Sequence, residues 1–333
     1  MKAIKFGANL LTGRLSEHDA KRYFSHFGWF AFIFTALSGA AVSLIVRIVY
    51  NISPEIYSHW LFGELLSPIA FYVIALPVAL LPLFRLPRIA PDRAKMPLSH
   101  WWQGLCICMA LMMLGNYVSS IILTLLESYT GVETQNPVET AVSKAPLWGT
   151  FVFIVVLSPI LEEIVFRGIL CKRLLLLGEG YAVVLSSACF ALVHGNFYQL
   201  FYAFTLGCFF SFIYVKTGKL RYSVLYHMAI NFIGGFLSSI IYDKIDLEAL
   251  SENFVIHAGN IFPLLGFLWF WLLTTGSTVL GVTIIIKKRN SFHLYEGLIP
   301  PPEKQAFKCM ITSSGIIASL VLFALILSAS ILN

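Results

Sequence analysis

Long apolar runs separated by short polar connections set the pattern of this chain. About nine such runs recur, near 27–50, 61–84, 101–126, 147–170, 181–197, 199–215, 222–242, 261–286 and 308–332. Most reach about 20 residues, which at about 1.5 Å per helical residue crosses a hydrocarbon core ~30 Å thick. The runs do not alternate polar and apolar positions as barrel strands do, so helices, which satisfy their own backbone hydrogen bonds, are expected. The predicted fold is an all-α polytopic transmembrane helix bundle with about eight to nine spans. Composition agrees. Apolar residues make up 58% of the chain and charged residues 12%, against roughly 25% charged in soluble domains.

Charge at the ends of the runs adds an orientation. Arg85, Arg88, Arg93 and Lys95 follow the second run, Lys172 and Arg173 the fourth, Lys216, Lys219 and Arg221 the sixth, and Lys287, Lys288 and Arg289 the eighth. The intervening connections are neutral or acidic, with Glu127, Glu133 and Glu139 in one and Asp243, Asp246 and Glu248 in another. Basic flanks stay cytoplasmic, so the amino terminus is expected inside and the carboxyl terminus outside. Lys2, Lys5, Arg14, Lys21 and Arg22 precede the first run without the arrangement of a cleaved secretory signal. The net charge of +6 then reflects topology and contact with anionic membrane lipids, and no nucleic-acid partner is expected. Cys106, Cys108, Cys171, Cys189, Cys208 and Cys309 lie in or beside apolar runs without Cys-x-x-Cys spacing and read as packing residues.

Ionisable and amide side chains inside apolar runs are costly and therefore informative. In Glu162-Glu163-Ile164-Val165-Phe166-Arg167, Glu163 and Arg167 are four apart with the acid first, the favourable order for a helical pair. Glu162 points about 100° away and is left without a partner on its own helix. Phe190 and His194 are four apart in the fifth run, and His227 and Asn231 in the seventh. Taken singly, Glu163 with Arg167 reads equally as a structural ion pair, and each histidine or the asparagine as interhelical glue. Together they form an inventory for general base catalysis and oxyanion stabilisation in a hydrated cavity.

Glu-Glu-x-x-x-Arg, Phe-x-x-x-His and His-x-x-x-Asn, in that order between Glu162 and Asn231, resemble the motif series of the CAAX protease and bacteriocin-processing family (CPBP, also called Abi) of intramembrane endopeptidases. The resemblance covers roughly 147–242, expected as a catalytic four-helix core. Residues 1–146 are expected as an amino-terminal segment with three flanking spans, and 243–333 as carboxyl-terminal flanking spans. It implies that Glu162 activates water with help from His194, that His227 and Asn231 hold the oxyanion, and that Glu163, Arg167 and Phe190 support them. It further implies a membrane-associated peptide or protein tail as substrate and, from the short loops, a prokaryotic plasma-membrane location.

The family has been described both as metalloproteases and as glutamic proteases. The chain has no His-Glu-x-x-His, and Asn231 suits hydrogen bonding better than ligation, so no cofactor is favoured. Were zinc or another divalent metal required, Glu162, His194 and His227 are the expected ligands. The rival reading is a proton- or ion-coupled transporter using the same buried groups, although no inverted repeat is visible. Gly234-Gly235 is expected to permit close helix approach, and Pro68, Pro77 and Pro82 to kink the second run. His100, His257 and His293 receive no role.

Overall fold

A computed structural model describes residues 13–132, 134–242 and 261–332. Lys2, Lys5, Glu133, Asp243, Asp246, Glu248 and His257 lie outside the described residues. The apolar runs fold as helices α1 (Glu17–Ile52), α2 (Trp60–Leu83), α3 (Leu98–Thr130), α4 (Leu147–Leu174), α5 (Glu179–Val193), α6 (Phe197–Thr217), α7 (Leu220–Ile241), α8 (Ile261–Lys287) and α9 (Ser314–Leu332). Among the described residues, seven helices are long and apolar enough to cross a membrane, and α5 and α9 are shorter. The chain is an integral membrane protein. Its outer surface fits that solvent, since Leu44, Val73, Leu125, Phe262 and Leu325 are all exposed.

Local chemistry fixes where these helices begin and end. The Ser16 side chain accepts the Asp19 N–H at 3.1 Å and starts α1, and Asn196 accepts the Gln199 N–H at 2.9 Å at the start of α6. Gly131 and Gly218 close α3 and α6 at φ 70° and 60°, the left-handed conformation that favours glycine. Within α2, Pro68 precedes a π-helical stretch over Ile69–Ala75, and Pro82 sits in a terminal 3-10 turn.

Helix contacts rely on small residues, as expected where lipid offers little hydrophobic drive for association. A Cβ on Gly28 would lie 2.0 Å from the Gly315 carbonyl carbon, so α1 and α9 cross backbone to backbone. Gly281 of α8 meets Cys106 of α3 with the same 2.0 Å clearance. Gly234 does pack closely, with a Cβ reaching 3.1 Å from Met112 Sδ, whereas Gly235 has nothing within 4 Å.

The ends of the first and last spans depart from expectation. Helix α1 begins ten residues before the apolar run because its first turns, though polar, bury Tyr23 and Phe24 in the core. The last run breaks into a short helix, Ala306–Ile311, and α9. Ser25 explains the break: its hydroxyl meets Ser314 Oγ at 2.9 Å and accepts the Gly315 N–H at 3.0 Å, seating the restart of the chain against α1.

One end of the bundle gathers the basic connections. Ile89 N–H donates to Lys172 O, Ala94 N–H to Thr217 O, and Arg173 Nε to Leu83 O. Lys216 pairs with Glu179, and the strap after α8 docks there through Ile299 N–H to Leu176 O. Leu83, Leu170, Leu174, Leu176 and Tyr214 form a buried layer just inside this end.

Candidate active site

Helix α4 presents its two glutamates to different surroundings. Pro159 lacks an N–H, and the preceding stretch Phe151–Leu157 is π-helical, so Ser158 N–H bonds Phe153 O instead of Ile154 O. Another π-helical stretch, Ile164–Cys171, follows the glutamates. Between them, Glu162 faces a cavity of about 1600 Å³ that His194, His227, Asn231 and Phe190 also line. Glu163, one residue on, is fully buried behind it.

The Glu163 carboxylate is held from two sides. Arg167 Nη1 donates to Oε1 at 2.8 Å, and His227 Nδ1 lies 3.1 Å from the same oxygen. Arg167 is itself fully buried, donates through Nη2 to Gly207 O at 3.0 Å, and lies 4.6 Å from the centre of the Phe190 ring and 5.5 Å from that of Phe210. Gly207 makes this fit possible, because a Cβ there would come within 3.2 Å of Arg167 Nη2 and 3.1 Å of the Phe190 ring. A buried charge needs such partners, since desolvation otherwise dominates.

Glu162 is held more loosely. Ser158 donates its hydroxyl to Glu162 Oε1, while Oε2 is buried without a hydrogen-bond partner. The nearest base to Oε2 is His227 Nε2 at 3.6 Å, too long for a direct hydrogen bond. His227 therefore stands between the two glutamates. Because a carboxylate only accepts, Nδ1 carries the proton shared with Glu163, and Nε2 is the nitrogen left toward Glu162 and the cavity.

Phe190 organises the imidazoles. Its ring meets His194 edge-on at 5.0 Å, His227 at 5.6 Å and Phe166 at 5.2 Å, and Phe210 stacks on His227 at 5.2 Å. His194 ends α5, with Gly195 at φ 67° turning the chain into α6. Its Nδ1–H donates to Phe190 O at 2.7 Å, leaving Nε2 as the acceptor. Asn231 Nδ2 donates to Ile154 O at 2.9 Å, the carbonyl that Pro159 and the π-helical stretch leave without a backbone donor. One amide proton of Asn231 remains uncommitted.

Sequence reasoning missed Ser158, whose spacing four residues before Glu162 was the available signal, and Phe210, one of many aromatics in α6. Among the described residues, no three His, Cys, Asp or Glu side chains converge as a metal-binding group. The conditional ligand set of Glu162, His194 and His227 lines one cavity without forming such a group; His194 directs Nδ1 to Phe190 O and His227 directs Nδ1 to Glu163, which leaves Nε2 of each imidazole uncommitted.

Residues 144–233 match the family model of the type II CAAX prenyl endopeptidase Rce1-like domain. Over 161 residues, 44% of this chain, the sequence is 32% identical to the membrane-embedded CAAX protease MroQ of Staphylococcus aureus (strain USA300). Over this segment the chain is similar to the CAAX protease and bacteriocin-processing family. The matched stretch spans 62% of that relative's length. No solved structure matches the chain. All seven residues singled out by the family motifs fall within the matched segment, on α4, α5 and α7 and the turn that ends α5.

Proposed function

We propose that this protein is an intramembrane endopeptidase that hydrolyses a peptide bond in a membrane-associated peptide or protein tail. One observation carries the reading: Glu162, backed by a neutralised Glu163–Arg167 pair, turns an unpartnered oxygen toward His227 in a cavity that also holds His194 and Asn231. The family relationship supports the same reaction class.

The 3.6 Å gap between Glu162 Oε2 and His227 Nε2 suits a water donating one proton to each. Two acceptors polarise that water, and Glu162 acts as general base, taking one water proton as the water oxygen bonds to the substrate carbonyl carbon. Glu162 then returns the proton to the departing nitrogen as the C–N bond breaks, completing addition of one water across the peptide. The unused Asn231 N–H serves the developing oxyanion. His227 adds a second donor when both its nitrogens carry protons, and Glu163 at 3.1 Å supplies the countercharge for that form. His194 Nε2 is a further acceptor on the cavity wall. It assists the water from the α5 side, while His227 is the imidazole beside the base.

The test is peptide cleavage by purified protein in lipid, comparing wild type with Glu162→Gln. The variant keeps the shape of the side chain and removes the base, so turnover should fall by ~10²–10⁴ while the protein elutes and melts as wild type. Undiminished cleavage would refute the reading. Glu162-dependent ion flux in sealed vesicles without peptide product would favour the transporter alternative.

A further inference from the structure

We infer that the catalytic cavity opens on the non-cytoplasmic side of the membrane, so the substrate is a peptide segment that has already been translocated. This deepens the peptidase reading and rests on it for the word substrate, but the sidedness stands on separate observations.

The mouth of the cavity is built from one set of connections. Ser58 and Trp60 line it from the junction of α1 and α2, Asn136 and Lys144 from the connection of α3 to α4, and Tyr198 and Gln199 from the α5 to α6 turn. Among the described residues, none of its lining comes from 84–97, 171–178, 216–221 or 288–305, the connections at the other end. There the floor is closed. Fully buried Glu163 and Arg167, then Leu170, Cys171, Leu174 and Tyr214, separate the cavity from the basic loops.

Charge distinguishes the two ends. Arg85, Arg88, Arg93 and Lys95, Lys172 and Arg173, Lys216, Lys219 and Arg221, and Lys287, Lys288 and Arg289 all belong to the closed end. Hydrogen bonds from Ile89 to Lys172 and from Ala94 to Thr217 tie three of these connections together. At the mouth, among the described residues, Arg47 and Lys144 are the basic side chains, against Glu55, Glu64, Glu127 and Glu139. Lys and Arg beside short loops mark the cytoplasmic face. The closed end is cytoplasmic, and the mouth faces the opposite compartment.

The path inward suits an extended peptide. Asn116, Ser120, Gln135 and Gln199 offer neutral hydrogen-bonding groups, which pair with peptide N–H and C=O without demanding a fixed side-chain charge. Glu162 lies about 22 Å along α4 from its mouth end at Leu147, at 1.5 Å per residue, so an unfolded segment reaches the base where a folded domain does not. A tail confined to the cytoplasm meets the sealed end.

Thiol accessibility in intact cells tests the sidedness with the full-length chain. Ser58→Cys at the mouth and Arg93→Cys at the basic end both replace exposed side chains, and unaltered protein controls for its own half-buried and buried cysteines. A membrane-impermeant charged maleimide should label Ser58→Cys in intact cells and Arg93→Cys only after lysis. The reverse pattern overturns the inference. A cleavable segment is then fused to an exported and to a cytoplasmic carrier; cleavage of the cytoplasmic fusion also overturns it. If labelling follows expectation and neither fusion is cut, the sidedness stands and the peptidase reading fails.

Discussion

Replacing Arg167 with methionine isolates the charge chemistry beneath Glu162. The native guanidinium is fully buried, donates to Glu163 Oε1 at 2.8 Å and Gly207 O at 3.0 Å, and lies 4.6 Å from the Phe190 ring centre. Methionine keeps much of the volume and loses the charge, leaving Glu163 with His227 as its remaining named partner. Breaking one side of a buried pair costs about 3–5 kcal/mol, and loss of a desolvated cation–aromatic contact adds up to ~2 kcal/mol. His227 at 3.1 Å offsets part of this, so Arg167→Met should cost about 3–4 kcal/mol in all. The Glu163→Gln, Arg167→Met double variant removes both charges and should recover most of that loss, because neutral replacement of a buried pair is often close to neutral in stability. Reversible unfolding in mixed micelles, followed by tryptophan fluorescence, measures all four corners of the cycle. Peptide cleavage on the same samples should stay low in the double variant, since His227 no longer has a carboxylate to fix Nδ1. An Arg167→Met protein within about 1 kcal/mol of wild type, or a double variant no more stable than the single one, would refute this account of the pair.

Two further outcomes follow from the packing. Asn231→Ala leaves Ile154 O without a donor and should cost about 1 kcal/mol in the wild-type background; in a Pro159→Ala background, where a backbone N–H returns, the same substitution should cost measurably less, by the same unfolding assay. Gly28→Leu places a Cβ 2.0 Å from the Gly315 backbone and should destabilise the α1 and α9 contact by about 1–3 kcal/mol, read as a lower midpoint of unfolding.

The spans were legible because hydrocarbon demands uninterrupted apolar helices, and an uninterrupted run needs no tertiary information to recognise. The candidate site was legible for a related reason: Glu162, Glu163, Arg167, His194, His227 and Asn231 are polar groups that an apolar surrounding penalises heavily. The division between Glu162 and Glu163 also followed from helical spacing, since Arg167 lies four residues after the second. What spacing could not reveal were contacts between helices. Nothing near His227 in sequence points to its position between the two carboxylates, and nothing near Asn231 points to Ile154, because that bond exists only where Pro159 and the π-helical stretch free a carbonyl 77 residues away. The early start of α1 and the break before α9 escaped for the opposite reason: polar turns there are stabilised by Tyr23, Phe24 and Ser25 contacts that an apolar window does not register.

The wider turns on both sides of the glutamates make the aim of α4 depend on residue count as much as on residue type. Were 151–157 to tighten to an ordinary α-helix with no residue removed, everything beyond it would rotate by about 100° relative to the start of the span, the angle of one helical residue. The tightened segment would still insert and still read as a membrane helix by hydropathy. Its acidic pair would simply point at different neighbours, so in this part of the chain the width of a turn decides which groups the two carboxylates meet.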